Sequence, residues 1–194
     1  MKHYDLKRKK QEKRNQVIMA AFLSMIMIMS MLGIMLNQDT ETIKYKDYKF
    51  TKLNKGYSAE IHGKELFFNF LPSEVEQFEI PTEFCSKLQQ ATNIRVLFEP
   101  EVQSNMYTDY IRQELQETFN KPIISALTSE SETYSLYQIS SCNESSEYLP
   151  TIYFKEKDNT TINIENENCL IAESKNTGFL LLRDRIVYCY LGVI

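Results

Sequence analysis

Apolar positions along this chain fall in three rhythms, and each predicts a different kind of element. From Val17 to Leu36 there are 20 consecutive positions without a charge, nearly all of them apolar. At about 1.5 Å per residue a helix of that length reaches roughly 30 Å, the thickness of a bilayer's hydrocarbon core, so the run predicts a transmembrane helix. Its polar side chains are Ser24 and Ser30, whose hydroxyls can bond back to the preceding turn. Beyond it the rhythm becomes two. The segments YKDYKFTKL, YSAEIHG and KELFFNFLP predict three strands of a β-meander, separated by Asn54-Lys55-Gly56 and by His62-Gly63, both hairpin-type turns. Tyr57, Ala59 and Ile61 alternate on one strand, as do Leu66, Phe68 and Phe70 on the next.

The third rhythm is helical. Ser73 and Glu76 have capping-box spacing, with Ser73 as cap and Glu76 reaching back. A short helix follows Thr82, carrying Phe84, Cys85, Leu88 and Ala91 on one stripe. After the buried-strand run IRVLF (residues 94–98), Ser104 or Asn105 caps a longer helix with Met106, Tyr107, Tyr110, Ile111, Leu115 and Phe119 on one face. Pro122 stops it, and IISAL is the next strand, so strand, helix and strand predict a βαβ crossover. Further strands are expected near 151–155, 160–164 and 168–172.

The closing stretch, GFLLLRDRIVYCYLGVI, is apolar enough to resemble a second span. Arg183, Asp184 and Arg185 fall in its middle, where charges are costly in a membrane. It is therefore expected as a helix packed on the sheet, with Leu180, Leu181, Val187, Tyr188 and Leu191 buried. The three charges are expected to emerge at an edge as a salt-bridged surface.

The expected fold class is α+β: an N-terminal transmembrane helix followed by one extracytoplasmic domain with a β-meander, a βαβ unit, further strands and a C-terminal helix. The expected organisation is a basic cytoplasmic tail (1–16), the span (17–36), a short juxtamembrane linker (37–46) and the domain (47–194).

Charge sets the orientation. The tail holds seven cations (Lys2, Lys7, Arg8, Lys9, Lys10, Lys13, Arg14) against Asp5 and Glu12. The positive-inside rule then puts residues 1–16 in the cytoplasm and everything after Leu36 outside. A cleaved signal peptide has the same charge order, but signal cores usually run about 7–15 residues before a small-x-small site, and this run is longer and lacks one. Taking the tail's charges from the chain's 22 Lys and Arg and 26 Asp and Glu leaves fifteen cations against 24 anions outside. Such a domain repels phosphates, which excludes a nucleic-acid partner and leaves the lipid bilayer and a protein as the expected partners.

The chain lacks GxSxG, HExxH, GxGxxG, P-loop and CxxC patterns. Of the two histidines, His3 lies in the tail and His62 in a hairpin turn. No catalytic, cofactor-binding or metal-binding residue is assigned, and no cofactor is expected. The cysteines are Cys85, Cys142, Cys169 and Cys189, all outside in this topology, where pairing is favoured. Four cysteines permit three connectivities. Cys142 and Cys169 flank a compact three-strand segment, which favours that bridge and a small β-rich flap pinned at both ends. Cys85 and Cys189 would then pair helix to helix, and that second bridge stays open. The sequons Asn143-Glu144-Ser145 and Asn159-Thr160-Thr161 fall in expected loops and mark Asn143 and Asn159 as glycosylation candidates.

The segment GKELFFNFLPSEVE, the Cys142…Asn168-Cys169 pair and the ending DRIVYCYLGVI together resemble a set of uncharacterised archaeal membrane-anchored proteins. The resemblance is carried by F-x-x-L-P-x-E-V-E, here Phe67 to Glu76 with one extra residue, and by D-R-x-x-Y-x-x-L-G-V/I, over most of residues 47–194. It implies the Cys142–Cys169 bridge and an archaeal envelope setting, and brings no activity. Cys85 and Cys189 lie outside its pattern.

The expected function is that of a non-enzymatic, single-pass protein at the cell membrane, presenting its outer domain to a protein partner as an accessory subunit of an envelope or membrane complex. The alternatives are an anchored envelope hydrolase using paired carboxylates and, more weakly, a thiol-disulfide oxidoreductase.

Overall fold

The computed structural model describes residues 15–30, 41–103 and 105–194. The chain divides into two compact units, Met1–Glu41 and Thr42–Ile194. In the first, residues 15–30 form a helix, α1. Ser24 donates to the Ala20 carbonyl at 2.8 Å and Ser30 to that of Met27 at 3.0 Å. The expected transmembrane helix is corrected: among the described residues no helix is long and apolar enough to cross a membrane. The described part of α1 covers sixteen positions, about 24 Å, against the roughly 30 Å of a span. The rest of that expected span, and the basic tail up to residue 14, lie outside the described residues.

The second unit is α+β, with two sheets. Four antiparallel strands, β1 (Thr42–Tyr45), β2 (Tyr48–Lys52), β3 (Tyr57–Ile61) and β4 (Lys64–Phe68), pair in sequence order. YKDYKFTKL does not run as one strand. Lys46 takes a left-handed φ of 49° and breaks it into β1 and β2, so pairing begins within the stretch expected as linker. His62 and Gly63, at φ 53° and 75°, form the two-residue turn between β3 and β4. Gly56, at φ 89°, admits no side chain: a Cβ there would sit 2.1 Å from the Phe68 carbonyl oxygen.

After β4 comes the one-turn α2 (Pro72–Val75). Its start is capped by Glu74, whose carboxylate accepts the Leu71 amide at 2.7 Å. The expected Ser73–Glu76 box is thereby displaced, because Pro72 already occupies the first helical position. Glu76 instead accepts the Tyr45 hydroxyl at 2.7 Å. The next helix, α3 (Thr82–Gln90), buries Phe84, Cys85 and Leu88. Lys121 closes its C-terminal end by donating to the carbonyls of Leu88, Gln89 and Ala91, where a cation complements the helix dipole.

The second sheet runs β7-β6-β5-β8-β10-β9. β5 (Ile94–Phe98), α4 (Asn105–Thr118) and β6 (Ile123–Leu127) make the crossover, with β5 and β6 parallel. The two-residue β7 (Gln138–Ile139) extends one side. β8 (Thr151–Glu156) then returns to the other side of β5, and β10 (Cys169–Ser174) pairs parallel to it, with β9 (Thr161–Glu165) antiparallel at the edge. The segment between Cys142 and Cys169 is therefore no flap. Its β8 lies inside the sheet, with Ile152 and Phe154 in the core.

The last helix, α5 (Gly178–Leu191), packs against α2, α3, α4 and β10 and contributes to a core continuous with both sheets. Its Tyr188 ring stacks on Phe68 at 4.4 Å between centroids and meets Phe50 edge-on at 6.0 Å. Arg183, Asp184 and Arg185 do not emerge at an edge. They are 2%, 0% and 6% exposed.

Two disulfides staple the unit: Cys85–Cys189 joins α3 to α5, and Cys142–Cys169 joins the turn at 142–144 to the start of β10. The sequence separations are 104 and 27 residues. The chain-entropy model gives about 4.7 kcal/mol for a loop of the first size and roughly 3–4 kcal/mol for the second. Replacing both cysteines of the longer loop by serine is expected to lower the unfolding free energy more than replacing those of the shorter one. Denaturant titration of the two double variants checks the order.

Candidate functional site

The most elaborate polar arrangement lies where α5 meets the end of β4. The chain leaving β4 turns at Asn69 and Phe70, and their backbone N–H groups need an acceptor in the interior. Both donate to Asp184 Oδ2, at 2.7 and 2.8 Å. Asp184 Oδ1 lies 3.0 Å from Arg183 Nη1, which also donates to the Phe67 carbonyl at 3.2 Å. Arg183 Nη2 reaches Glu114 on α4 at 3.6 Å. The Tyr188 hydroxyl donates to the Phe70 carbonyl at 2.7 Å. Arg185 turns the other way, giving Nε to the Phe78 carbonyl at 2.6 Å and Nη1 to Ile194 O at 3.3 Å.

Burial pushes the Asp184 carboxyl up to about 7, against the opposing pull of Arg183 and the two amides. Burial likewise lowers Arg185, and Tyr188 is held above its ordinary value by burial and then by Asp184.

Arg183 also forms the floor of an open trough of about 740 Å³. Residues Lys64 to Asn69 make one wall, with Lys55 at the Asn69 end; Tyr110, Glu114, Glu117 and Thr118 of α4 make the other. β4 is the last strand of its sheet, so this wall is a strand edge. Ile61 and Lys64 flank a two-residue turn and form a hydrogen-bonded pair, and pairs alternate from there. Glu65 and Phe67 therefore turn their backbone groups away from β3 and toward the trough. The Arg183 bond to the Phe67 carbonyl has the same direction. Phe67 is 59% exposed and Tyr110 47%.

A second cavity, of about 700 Å³, lies beyond the carboxyl end of β6, with Glu101, Glu130 and Glu132 among its lining and Tyr134 and Tyr137 beside them. The Tyr134 hydroxyl donates to Asp109 at 2.8 Å, and burial raises it to about 12. Among the described residues the carboxyl group raised by burial is Asp184, which is not part of this cavity's lining and is committed to backbone amides.

All four cysteines are bridged and buried. Asn143 is exposed in the turn after Cys142, its side-chain oxygen accepting from Asn166 at 3.3 Å, and Asn159 is exposed between β8 and β9. His62 sits in its hairpin turn. Among the described residues no group of His, Cys, Asp and Glu is arranged to hold a metal ion. Compared with known protein families, with curated proteins and with solved structures, the chain shows no match.

Sequence reasoning missed the Arg183–Asp184 pair and the trough above it. The available signal was the apolar sequence on both sides of Arg-Asp-Arg: a helix buried all round carries its charges inside with it.

Asp184 makes stability depend on pH in a defined direction. Its folded pKa lies above the unfolded value of about 3.9, so the stabilisation is fully present below that value and is lost as pH rises through about 7. For one proton the slope approaches ~1.4 kcal/mol per pH unit. The denaturation midpoint is expected to be higher at pH 5 than at pH 8, and Asp184→Asn should flatten that difference. Identical pH profiles for the two proteins would refute the assignment.

Proposed function

We propose that this chain presents a disulfide-stapled domain to a protein partner in an extracytoplasmic, oxidising compartment, as a non-enzymatic accessory component of a cell envelope or membrane complex. The observation that carries the reading is the trough beside β4. It offers unpaired backbone groups, exposed aromatic surface and charges of both signs, Lys55 and Lys64 beside Glu65, Glu114 and Glu117. Those are features of recognition. Two buried bridges support the compartment, since paired cysteines persist where the surroundings are oxidising. The exposed Asn143 and Asn159 are accessible to glycosylation there. The envelope setting implied by the archaeal resemblance belongs to the same reading.

Crosslinking of the full-length chain in its native cells is expected to trap a stable protein partner. Recovery as a lone monomer with hydrolytic activity would overturn the reading. Alkylation followed by mass spectrometry gives a second check: no thiol should react before reduction, and four should react after it.

A further inference from the structure

We infer that the trough beside β4 takes an extended peptide segment, which joins the meander as a fifth strand; this deepens the protein-binding reading and rests on it. The chemistry of the strand edge selects this occupant. The ladder to β3 uses the backbone groups of Lys64, Leu66 and Phe68, leaving Glu65 N–H, Glu65 C=O and Phe67 N–H facing the trough. The structure gives these three groups no protein partner among the described residues. A row of donors and acceptors at strand spacing is matched by another strand, the mode in which main-chain bonds give affinity and alternate side chains give specificity. The five residues of β4 span about 17 Å, and α4 walls the far side, so the space suits one added segment.

Charge complementarity defines the segment further. Lys64 stands at one end of the strand wall and Lys55 at the other, and neither has an ion-pair partner among the described residues. Arg183 and Glu114, on the floor and far wall, are already paired with each other, and Glu65 on the strand wall and Glu117 on α4 add two anions. The middle of the strand wall is the exposed Phe67 ring. The segment that fits has an acidic side chain near each end, a basic one opposite Glu65 and apolar side chains against Phe67.

A displayed library of random twelve-residue peptides, selected on the full-length protein, tests this. Recovered peptides are expected to carry apolar residues between acidic ends, with a basic residue placed opposite Glu65. Binding should fall at least tenfold on Glu65→Pro, which removes a trough-facing N–H that the β3 ladder does not use. It should also fall severalfold on the Lys55→Glu, Lys64→Glu double variant. N-methylation of alternate peptide nitrogens should abolish it, a control that leaves the protein untouched should Glu65→Pro misfold. Peptides that bind yet tolerate N-methylation at every position overturn strand addition while leaving the protein-binding reading standing. A library with no enrichment over empty support also overturns strand addition, and the crosslinked partner then decides separately whether the protein-binding reading survives. A dimer that Glu65→Pro abolishes overturns the peptide assignment and gives the edge to a second copy.

Discussion

The fold depends on a carboxyl group that has no access to water. Asp184 stands on a helix buried nearly all round, and its oxygens face two backbone amides and one guanidinium. Without it, the amides of Asn69 and Phe70 would be buried donors with no acceptor, and Arg183 would be a buried cation with only a weakly placed Glu114 opposite. Breaking one member of such a pair costs more than the pair contributes, because the remaining charge keeps its desolvation penalty. The arrangement therefore specifies geometry. α5 can dock in only one register that brings Asp184 to the turn after β4, Tyr188 to the Phe70 carbonyl and Arg183 to the Phe67 carbonyl.

That register connects the two sheets. The meander reaches α5 through Phe50 and Phe68 against Tyr188, and the parallel sheet reaches it through β10 and the crossover helix α4. The Cys85–Cys189 bridge holds α3 to the same helix, and Lys121 closes the C-terminal end of α3 on its carbonyls. Both walls of the trough are thus carried on rigid elements tied to α5. A strand edge held open in this way has little ordering entropy left to lose when a segment adds to it.

Much of the local structure was legible in the residues themselves. The alternation through β3 and β4, the helical stripe of α3 and the crossover from β5 to β6 follow from periods of 2.0 and 3.6, which short-range backbone geometry imposes; on α4 the stripe holds at Ile111, Leu115 and Phe119, whereas Met106 and Tyr110, expected with them, are exposed. The two-residue turn at His62-Gly63 follows from turn chemistry. Other features were hidden from such patterns. The break at Lys46 needs a left-handed residue that no glycine announces, and Pro72 moved the start of α2 away from Ser73. The apolar run from Val17 is equally plain in the sequence, yet no described helix is long and apolar enough to cross a membrane.

What the sequence determined alone was most of the elements, with β1 and β7 not among them, the apolar face of most of these, an acidic balance beyond the tail and four cysteines able to pair. Which cysteines met, where Arg183, Asp184 and Arg185 went, and which strand edge stayed open were decided by tertiary structure. The physical reason is range. A hydrophobic period is a property of neighbours in the chain, whereas a buried charge is tolerated only if partners more than a hundred residues away supply its hydrogen bonds. Asn69 and Phe70 are such partners for Asp184, and nothing in the local pattern around either segment names the other.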